Sequence, residues 1–310
     1  MVVSNPAELS GPIHQPAMVT QVLDLLSPQP GQTALDLTLG TGGHALAIGR
    51  KLGPDGLIVG IDADPGALQV ADARLRGRVP CEFQLVHGWF GQARQIAGRL
   101  RVSAFDNVIA DLGVGTHQLD DAERGLSFDS EQRLDMRYDP SAGPSAWEVL
   151  NRSSQEELAD IFHRYGEERY SRRIASRICM ERPINTPAEL AQLVKRVAAG
   201  RTSRHRTWRI HPATRVMMAL RIFVNNELEQ LDELLTQLPD LLAPGGRAAI
   251  ITYHSLEARR VKHTWRRQQR EGIIDVLTPS PIMPTERQIR QNRRVRSAQL
   301  RAARKPGVTS

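Results

Sequence analysis

Thr33-Ala34-Leu35-Asp36-Leu37-Thr38-Leu39-Gly40-Thr41-Gly42-Gly43-His44 decides the fold. Its first five residues form an apolar run of the kind that fills a buried parallel strand. The glycine cluster follows as a turn, and Ala45-Leu46-Ala47-Ile48 opens a helix. Strand, glycine turn and helix make the first unit of a Rossmann-type sheet. Glycines there let a ligand approach the backbone without meeting a Cβ. The N–H groups at the helix start face that ligand.

A second signal lies about twenty residues on. Leu57-Ile58-Val59-Gly60-Ile61 is another apolar strand, and Asp62 ends it. An acid at that tip accepts hydrogen bonds from ribose hydroxyls, so the pair of signals predicts a nucleoside-containing cofactor. Gly40-Thr41-Gly42-Gly43-His44-Ala45 fits the dinucleotide variant G-x-G-x-x-A as well. Asp36, four residues before the first glycine, decides between the two. A carboxylate there suits the ammonium and sulfonium of S-adenosylmethionine and offers nothing to a pyrophosphate. S-adenosylmethionine is therefore preferred over NAD.

The chain has 310 residues, 40% of them hydrophobic, enough for one large domain or two. A net charge of +7 and a pI near 10.0 favour a polyanionic partner. Cys81 and Cys179 stand alone, which excludes a disulfide framework or a zinc site and suits a reducing cytoplasm. No stretch has the length and apolarity of a membrane span, and the first residues lack the pattern of a signal peptide. Residues 1–12 are expected to be loosely ordered, and no metal is expected. The oligomeric state stays open, a homodimer being one option.

Met18, Val19, Val22, Leu23, Leu25 and Leu26 have helical spacing and are expected to cover the edge of the first strand. Ala67 to Leu75 reads as a helix, and Cys81 to Val86 as a strand. Phe90 follows, placed either to cover an adenine ring or to fill the core. Phe105 to Ala110 is the fourth strand, with Asp111 at its tip, where open parallel sheets hold their ligands.

Residues 118–209 carry almost no strand signal. Ser154-Gln155-Glu156-Glu157 and Thr186-Pro187-Ala188-Glu189 are capping boxes ahead of apolar helical faces, with Gly200 closing the second helix. This predicts a helical insert. It holds two arginine clusters. Arg164, Arg169, Arg172, Arg173, Arg177 and Arg182 fit either phosphate contact or a face paired with Glu156, Glu157, Glu167 and Glu168. Arg201, Arg204, His205, Arg206 and Arg209, beside Trp208 and far from acids, fit phosphate contact better.

The sheet resumes after a helical stretch, with Pro244-Gly245-Gly246-Arg247 turning into a strand from Ala248 to Tyr253. His254-Ser255-Leu256-Glu257 sits at that strand's tip. No G-x-S-x-G elbow accompanies it, and strand neighbours point opposite ways, so a hydrolase is set aside. Arg293, Arg294, Arg296, Arg301, Arg304 and Lys305 form either a basic tail or an RNA-facing strand and loop.

Several blocks together resemble the bacterial small-subunit ribosomal RNA methyltransferase H family, from about His14 to about Arg304. They are Gly40-Thr41-Gly42-Gly43-His44, Asp111-Leu112-Gly113-Val114 with Gln118-Leu119-Asp120, Arg124-Gly125-Leu126-Ser127-Phe128 and Leu134-Asp135-Met136-Arg137. Tyr165-Gly166-Glu167-Glu168-Arg169, His211-Pro212-Ala213-Thr214-Arg215, Ala219-Leu220-Arg221-Ile222, His254-Ser255-Leu256-Glu257 and Arg296-Ser297-Ala298 complete the set.

The resemblance implies an α/β fold: a Rossmann-like class I methyltransferase sheet over 1–117 and 210–310, interrupted by a helical substrate-recognition insert over 118–209. It implies methyl transfer from S-adenosylmethionine to the N4 of a cytidine in the decoding centre (P site) of 16S rRNA, on the small ribosomal subunit. Its cofactor positions fall on Gly42, Gly43, His44, Asp62, Phe90, Asp111 and Gln118. Asp111 is also the candidate catalytic residue, orienting the amine. The family's usual Ser-Ser-Pro after Asp-Leu-Gly-Val is here Gly115-Thr116-His117, and Tyr253 replaces a phenylalanine. The first change leaves room for a relative with a shifted RNA target. Ala258 replaces an acid and Arg293 a proline. An NAD-dependent oxidoreductase is opposed by Asp36 and by the missing hydride-transfer constellation. A non-catalytic RNA-binding module leaves Asp62 and Asp111 unexplained.

Overall fold

The computed structural model describes residues 16–115, 118, 124–128, 130–199 and 211–307. Residues 1–12, the second arginine cluster with Trp208, Gly200, and the departures Thr116 and His117 lie outside them, wholly or in part. By internal contact the chain forms two units, one of Met1–Gly113 with Leu228–Ser310 and one of Val114–Glu227.

In chain order the first unit begins with α1 (Val19–Leu26), β1 (Thr33–Asp36), α2 (Gly43–Leu52), β2 (Leu57–Asp62) and α3 (Pro65–Leu75). It continues with β3 (Glu82–His87), α4 (Ala93–Arg99) and β4 (Phe105–Asp111). The helices α5 (Ala146–Arg152), α6 (Gln155–Gly166), α7 (Ser171–Glu181), α8 (Pro187–Ala199) and α9 (Thr214–Val224) then make the second unit. The first unit resumes along α10 (Glu227–Leu241), then β5 (Leu242–Thr252), α11 (Ser255–Arg270), β6 (Asp275–Val276), α12 (Glu286–Gln291) and β7 (Gln299–Arg304).

The seven strands lie in the order β3-β2-β1-β4-β5-β7-β6. β1 to β5 are parallel, and β7 runs antiparallel to both β5 and β6. This is the class I methyltransferase sheet the sequence predicts. The chain winds outward from β1 to β3 and then crosses to β4 on the other side of β1. That reversal opens the ligand crevice at the carboxyl ends of β1 and β4. Asp36, Asp62 and Asp111 are the last residues of β1, β2 and β4, so all three carboxylates come to that edge.

The central strands are apolar on both sides because helices cover both faces. On one face Leu26, Ala45, Ile48, Ala71 and Leu75 of α1, α2 and α3 pack against Ile58, Ile109, Ala249 and Ile251. On the other, Ile96, Leu231, Leu234, Leu238, Val261 and Trp265 of α4, α10 and α11 pack against Leu35, Val59, Val108 and Ile250.

Three expectations for this unit change. α1 does not cover an edge of β1, because β1 is interior, flanked by β2 and β4. It packs on α2, β5 and β7 instead, and Arg247 Nη1 donates to the Leu25 carbonyl at 3.0 Å. β5 starts before the Pro-Gly-Gly turn: Leu242 pairs with Phe105, the register then jumps, and regular pairing begins at Arg247 with Asn107. The bulge needs Gly246, whose Cβ would stand 2.8 Å from the carbonyls of Ala243 and Phe105. The basic carboxyl segment is no tail: Leu300, Ala302 and Ala303 are buried in β7, between β5 and β6.

Among its described residues the second unit is helical, built around Leu150, Leu158, Phe162, Ile174, Leu190, Leu193, Val216 and Leu220. Both predicted capping boxes form. Ser154 Oγ accepts from the Glu157 N–H and Thr186 Oγ1 from the Glu189 N–H, each at 3.2 Å. α6 and α9 touch so closely that a Cβ on Gly166 would lie 2.6 Å from the Arg215 carbonyl. α9 belongs to this unit, so the packing boundary falls after Glu227 rather than at 210. A polar knot ties its middle. The Asn225 side chain accepts from Tyr138 N–H and donates to the Met136 carbonyl, both at 2.8 Å. Arg221 grips Glu227 with two bonds of 2.7 and 2.9 Å. Three arginines of the first cluster have partners other than the predicted glutamates. Arg164 pairs with Asp160, Arg177 with Glu181, which Arg196 of α8 also reaches, and Arg182 caps the carbonyls of Leu150 and Ser153.

Candidate active site

Beyond Asp36 the chain keeps its ladder for three residues. Leu37 N–H donates to Ile109 and Leu39 N–H to Ile61, both at 2.9 Å. It then turns at Gly40, with φ of 51°. The Asp62 carboxylate fastens this turn: Oδ2 accepts the Gly40 N–H at 2.6 Å and Oδ1 the Asp64 N–H at 2.8 Å. Asp64 in turn caps α3 by accepting the Gly66 N–H.

The glycines are not all there for the reason the sequence suggests. A Cβ on Gly43 would lie 2.8 Å from the ring of Pro16, and one on Gly42 3.3 Å from Ala71. Those two glycines admit neighbouring protein, and Gly42 also needs its φ of 77°. Only at Gly40 would a Cβ point into open space, its nearest neighbour being the Thr38 carbonyl at 4.0 Å. The backbone is therefore open at Gly40, next to the start of α2, a helix whose first turn carries no acid.

Asp111 is the centre of a small network. Its Oδ1 accepts the Tyr253 hydroxyl at 2.8 Å, and its Oδ2 faces His44 Nε2 at 3.3 Å. Its own N–H donates to Thr38 Oγ1 at 2.7 Å. His44 stands on the first turn of α2 and is buried, while Asp111 keeps 19% of its side-chain surface. The carboxylate is thus held from two sides with an edge open to solvent. Asp36 lies deeper, 2% exposed. Oδ1 accepts the Thr38 N–H at 3.3 Å, and Oδ2 has no partner among the described residues.

These groups perturb one another. Burial lifts the Asp36 carboxyl from 3.8 to about 6, against a smaller opposing pull from His44, and the charges of Asp111 and Asp62 add to the rise. Burial pushes the His44 imidazole down, but its hydrogen bond to Asp111 and the charges of Asp111 and Asp36 outweigh that and raise it. Burial and the Asp111 charge drive the Tyr253 phenol far up, so it stays a donor.

The folded chain holds the Asp36 proton more tightly than the unfolded one. The stability this brings is full below pH 3.8 and is lost as pH rises to about 6. The loss is about 3 kcal/mol, from roughly two pKa units. His44 acts in the same direction at higher pH, and Asp135 and Glu148, held below their ordinary values, act in the opposite direction at lower pH, so the difference between parent and variant is what reports Asp36. Asp36→Asn is expected to flatten that part of the stability profile and to leave the unliganded chain more stable at pH 7. Urea unfolding at several pH values checks this, and a variant with the parental slope refutes it.

The other predicted positions are less central. Phe90 opens a 3₁₀ turn after β3 and packs on the core face shared with α4 and α10, half-buried. Gln118 belongs to the second unit, where its Oε1 accepts the Gly115 N–H at 3.1 Å. His254 and Ser255 are not strand residues. His254 is the N-cap of α11, and Glu257 Oε2 accepts the N–H groups of Tyr253 and His254, a capping box with a structural purpose. Sequence reasoning missed Thr38, and it registered Tyr253 only as a departure. A hydroxyl-bearing residue at the tip of β5, beside β4, is the signal that pointed to it.

Several relatives are similar to this chain over nearly its whole length. A ribosomal RNA small subunit methyltransferase H of Synechococcus is 47% identical over 298 residues, covering 94% of this chain and 91% of its own. Proteins of the same name from Syntrophotalea carbinolica and Koribacter versatilis are 45% and 43% identical, each over 94% of this chain and over 98% and 93% of their own length. Among solved structures, an rRNA methylase from Streptococcus thermophilus aligns over 99% of both chains at 11% identity and a TM-score of 0.42, too distant to bear on function. The profile of one family spans residues 12–306, nearly the whole chain and both of its units, and this protein belongs to that family, the MraW methylases.

Proposed function

We propose that this chain transfers a methyl group from S-adenosylmethionine to the N4 of a cytidine in the decoding centre of 16S rRNA, in the cytoplasm. Membership of the family makes it an S-adenosylmethionine-dependent methyltransferase of small-subunit rRNA. Among the described residues no helix is long and apolar enough to cross a membrane.

The observation that carries the cofactor reading is the buried Asp36, whose Oδ2 is unsatisfied and whose charge is opposed by Asp62 and Asp111. Three carboxylates gathered at one sheet edge repel each other, and a cationic ligand relieves them. The pyrophosphate of NAD would aggravate them. Asp36 then faces the ammonium side, the Gly40 backbone borders the methionine part, and Asp62 accepts the ribose hydroxyls. Gly42, Gly43 and His44 shape the start of α2 beneath it, with Phe90 as a further contact; Gln118 remains a candidate by the family resemblance alone. Bound S-adenosylmethionine supplies the electrophilic methyl. Because Asp36 must ionise to meet a cation, cofactor affinity rises from pH 5 to 7 in the parent and stays flat in Asp36→Asn.

The exocyclic amine of cytosine is a weak nucleophile, its lone pair delocalised into the ring. The base leaves its stack to reach the crevice. Asp111 accepts one N–H of the amine and turns the lone pair toward the methyl carbon. Its charge stabilises the cation that develops on nitrogen as the methyl–sulfur bond breaks, leaving S-adenosylhomocysteine. The methylated amine then sheds one N–H proton to solvent at the exposed edge of Asp111. His44 and Tyr253 keep the carboxylate in place. Mass spectrometry of nucleosides after reaction with naked 16S rRNA and, in parallel, with small-subunit particles tests the proposal. N4-methylcytidine at one position is expected. Methyl on another base, or none, overturns it.

The second unit is the proposed RNA-recognition part. Arg204, Arg206 and Arg209 lie outside the described residues, and their number and lack of nearby acids support phosphate contact. Changing all three to alanine is expected to weaken RNA binding and to lower its salt slope by about two to three, close to one per lost contact. An unaltered slope places them away from RNA.

A further inference from the structure

A second cationic site lies in the first unit, beneath the carboxyl half of α11. A cavity of about 550 Å³ is lined there by Lys262, His263, Trp265, Arg266, Arg270 and Arg301, among others. Among the described residues no carboxylate lines it. Asp275, on the adjoining β6, is already taken by Arg304 at 2.9 Å.

Arg301 is the residue that calls for an explanation. It sits inside β7, opposite Ile250 of β5, and is 8% exposed. A buried guanidinium normally has a carboxylate or several acceptors. This one reaches the Thr278 carbonyl, at 3.4 Å, and its Nε has no partner among the described residues. Burial and the neighbouring Arg266 both make its charge harder to hold. Positive charge packed against positive charge, with donors unmet and a mouth open to solvent, is the arrangement an anion completes. Trp265 adds a ring face and an indole N–H that has no partner among the described residues, and Gln269 adds an amide, so neutral donors stand beside the cations.

We propose that this cavity binds a backbone phosphate of the RNA substrate at a distance from the methyl-transfer crevice. α11 starts at the crevice edge and rises about 1.5 Å per residue, so Lys262 to Arg270 lie roughly 10 to 22 Å along it. An RNA strand whose cytidine is in the crevice reaches this pocket with a neighbouring stretch of backbone. The pocket adds affinity and register, and reads no base. This assignment rests on the RNA activity proposed above.

The test uses the full chain and a 16S rRNA fragment containing the decoding region. Lys262, Arg266 and Arg270 are half-exposed or exposed on α11, so the triple variant Lys262→Ala/Arg266→Ala/Arg270→Ala tolerates their loss. Its RNA affinity at moderate salt is expected to fall by ~10-fold or more, and its slope of log affinity against log salt to shrink by about two. Affinity for S-adenosylmethionine, read by calorimetry, stays parental and reports an intact fold. A control with the same charge change elsewhere, Arg76→Ala/Arg99→Ala/Arg101→Ala, is expected to keep the parental slope. Equal losses in the two variants, or no loss in the first, overturn the pocket. Methyl transfer by the parent is measured on the same RNA: transfer without a pocket effect overturns the pocket alone, and no transfer overturns the activity on which it rests.

Discussion

Asp111→Asn is expected to slow methyl transfer by ~10²-fold or more, about 2.7 kcal/mol of transition-state stabilisation, while cofactor affinity changes far less. Asparagine keeps the shape and one acceptor oxygen for the Tyr253 hydroxyl. It removes the charge that favours the amine as it becomes cationic. It also turns an N–H toward His44 Nε2, which now faces Asp111 Oδ2 at 3.3 Å. His44 must then present a lone pair there, and it loses the carboxylate that raises its pKa. The substitution therefore removes one charge and lowers the proton affinity of a second group. Single-turnover transfer to RNA at saturating S-adenosylmethionine isolates the chemical step. A near-normal rate would leave Asp111 a cofactor-binding role only.

Asp62→Ala is expected to weaken S-adenosylmethionine binding by roughly ten- to a hundred-fold, the worth of one or two charged hydrogen bonds. Two effects combine. The ribose hydroxyls lose their acceptor, and the Gly40 and Asp64 N–H groups lose theirs. The second effect loosens the turn itself, so the Gly40 amide should exchange faster in the variant even without cofactor. Calorimetric titration measures the affinity, and hydrogen exchange separates the two contributions. Unchanged affinity would remove Asp62 from the site.

The sheet was legible because its strands are short apolar runs ending in acids. Leu57 to Asp62 and Phe105 to Asp111 need no tertiary information to be recognised. β3 announced itself by alternation, as a strand at one edge should. β6, with two residues, leaves no periodicity to detect. The glycine turn was placed correctly but explained incompletely, since Pro16 and Ala71, which crowd Gly43 and Gly42, come from elsewhere in the chain. The same limit applies to the network at Asp111. His44 is 67 residues away and Tyr253 is 142. No local pattern links them, and only the pairing of β4 with β1 and β5 brings them together. The first arginine cluster shows the reverse case: helical spacing predicted paired charges, and the pairs that form, Arg164 with Asp160 and Arg177 with Glu181, are i,i+4 neighbours on one helix that the sequence reading passed over for other acids.

The long separation of Tyr253 from Asp111 bears on how the enzyme comes into being. During synthesis His44 and Asp111 emerge with β1 to β4, while β5, with Tyr253 just beyond it, follows only after the whole of Val114–Glu227. Bringing β5 beside β4 closes a loop of more than a hundred residues if that intervening stretch is still unfolded. Such non-local pairing is slow. The last strand of the chain, β7, then has to slot between β5 and β6, giving the last-made part of the sheet an interior place. A partly synthesised chain consequently has half of its carboxylate clamp and an open sheet edge. Competence to modify rRNA is acquired only when nearly all of the protein has left the ribosome.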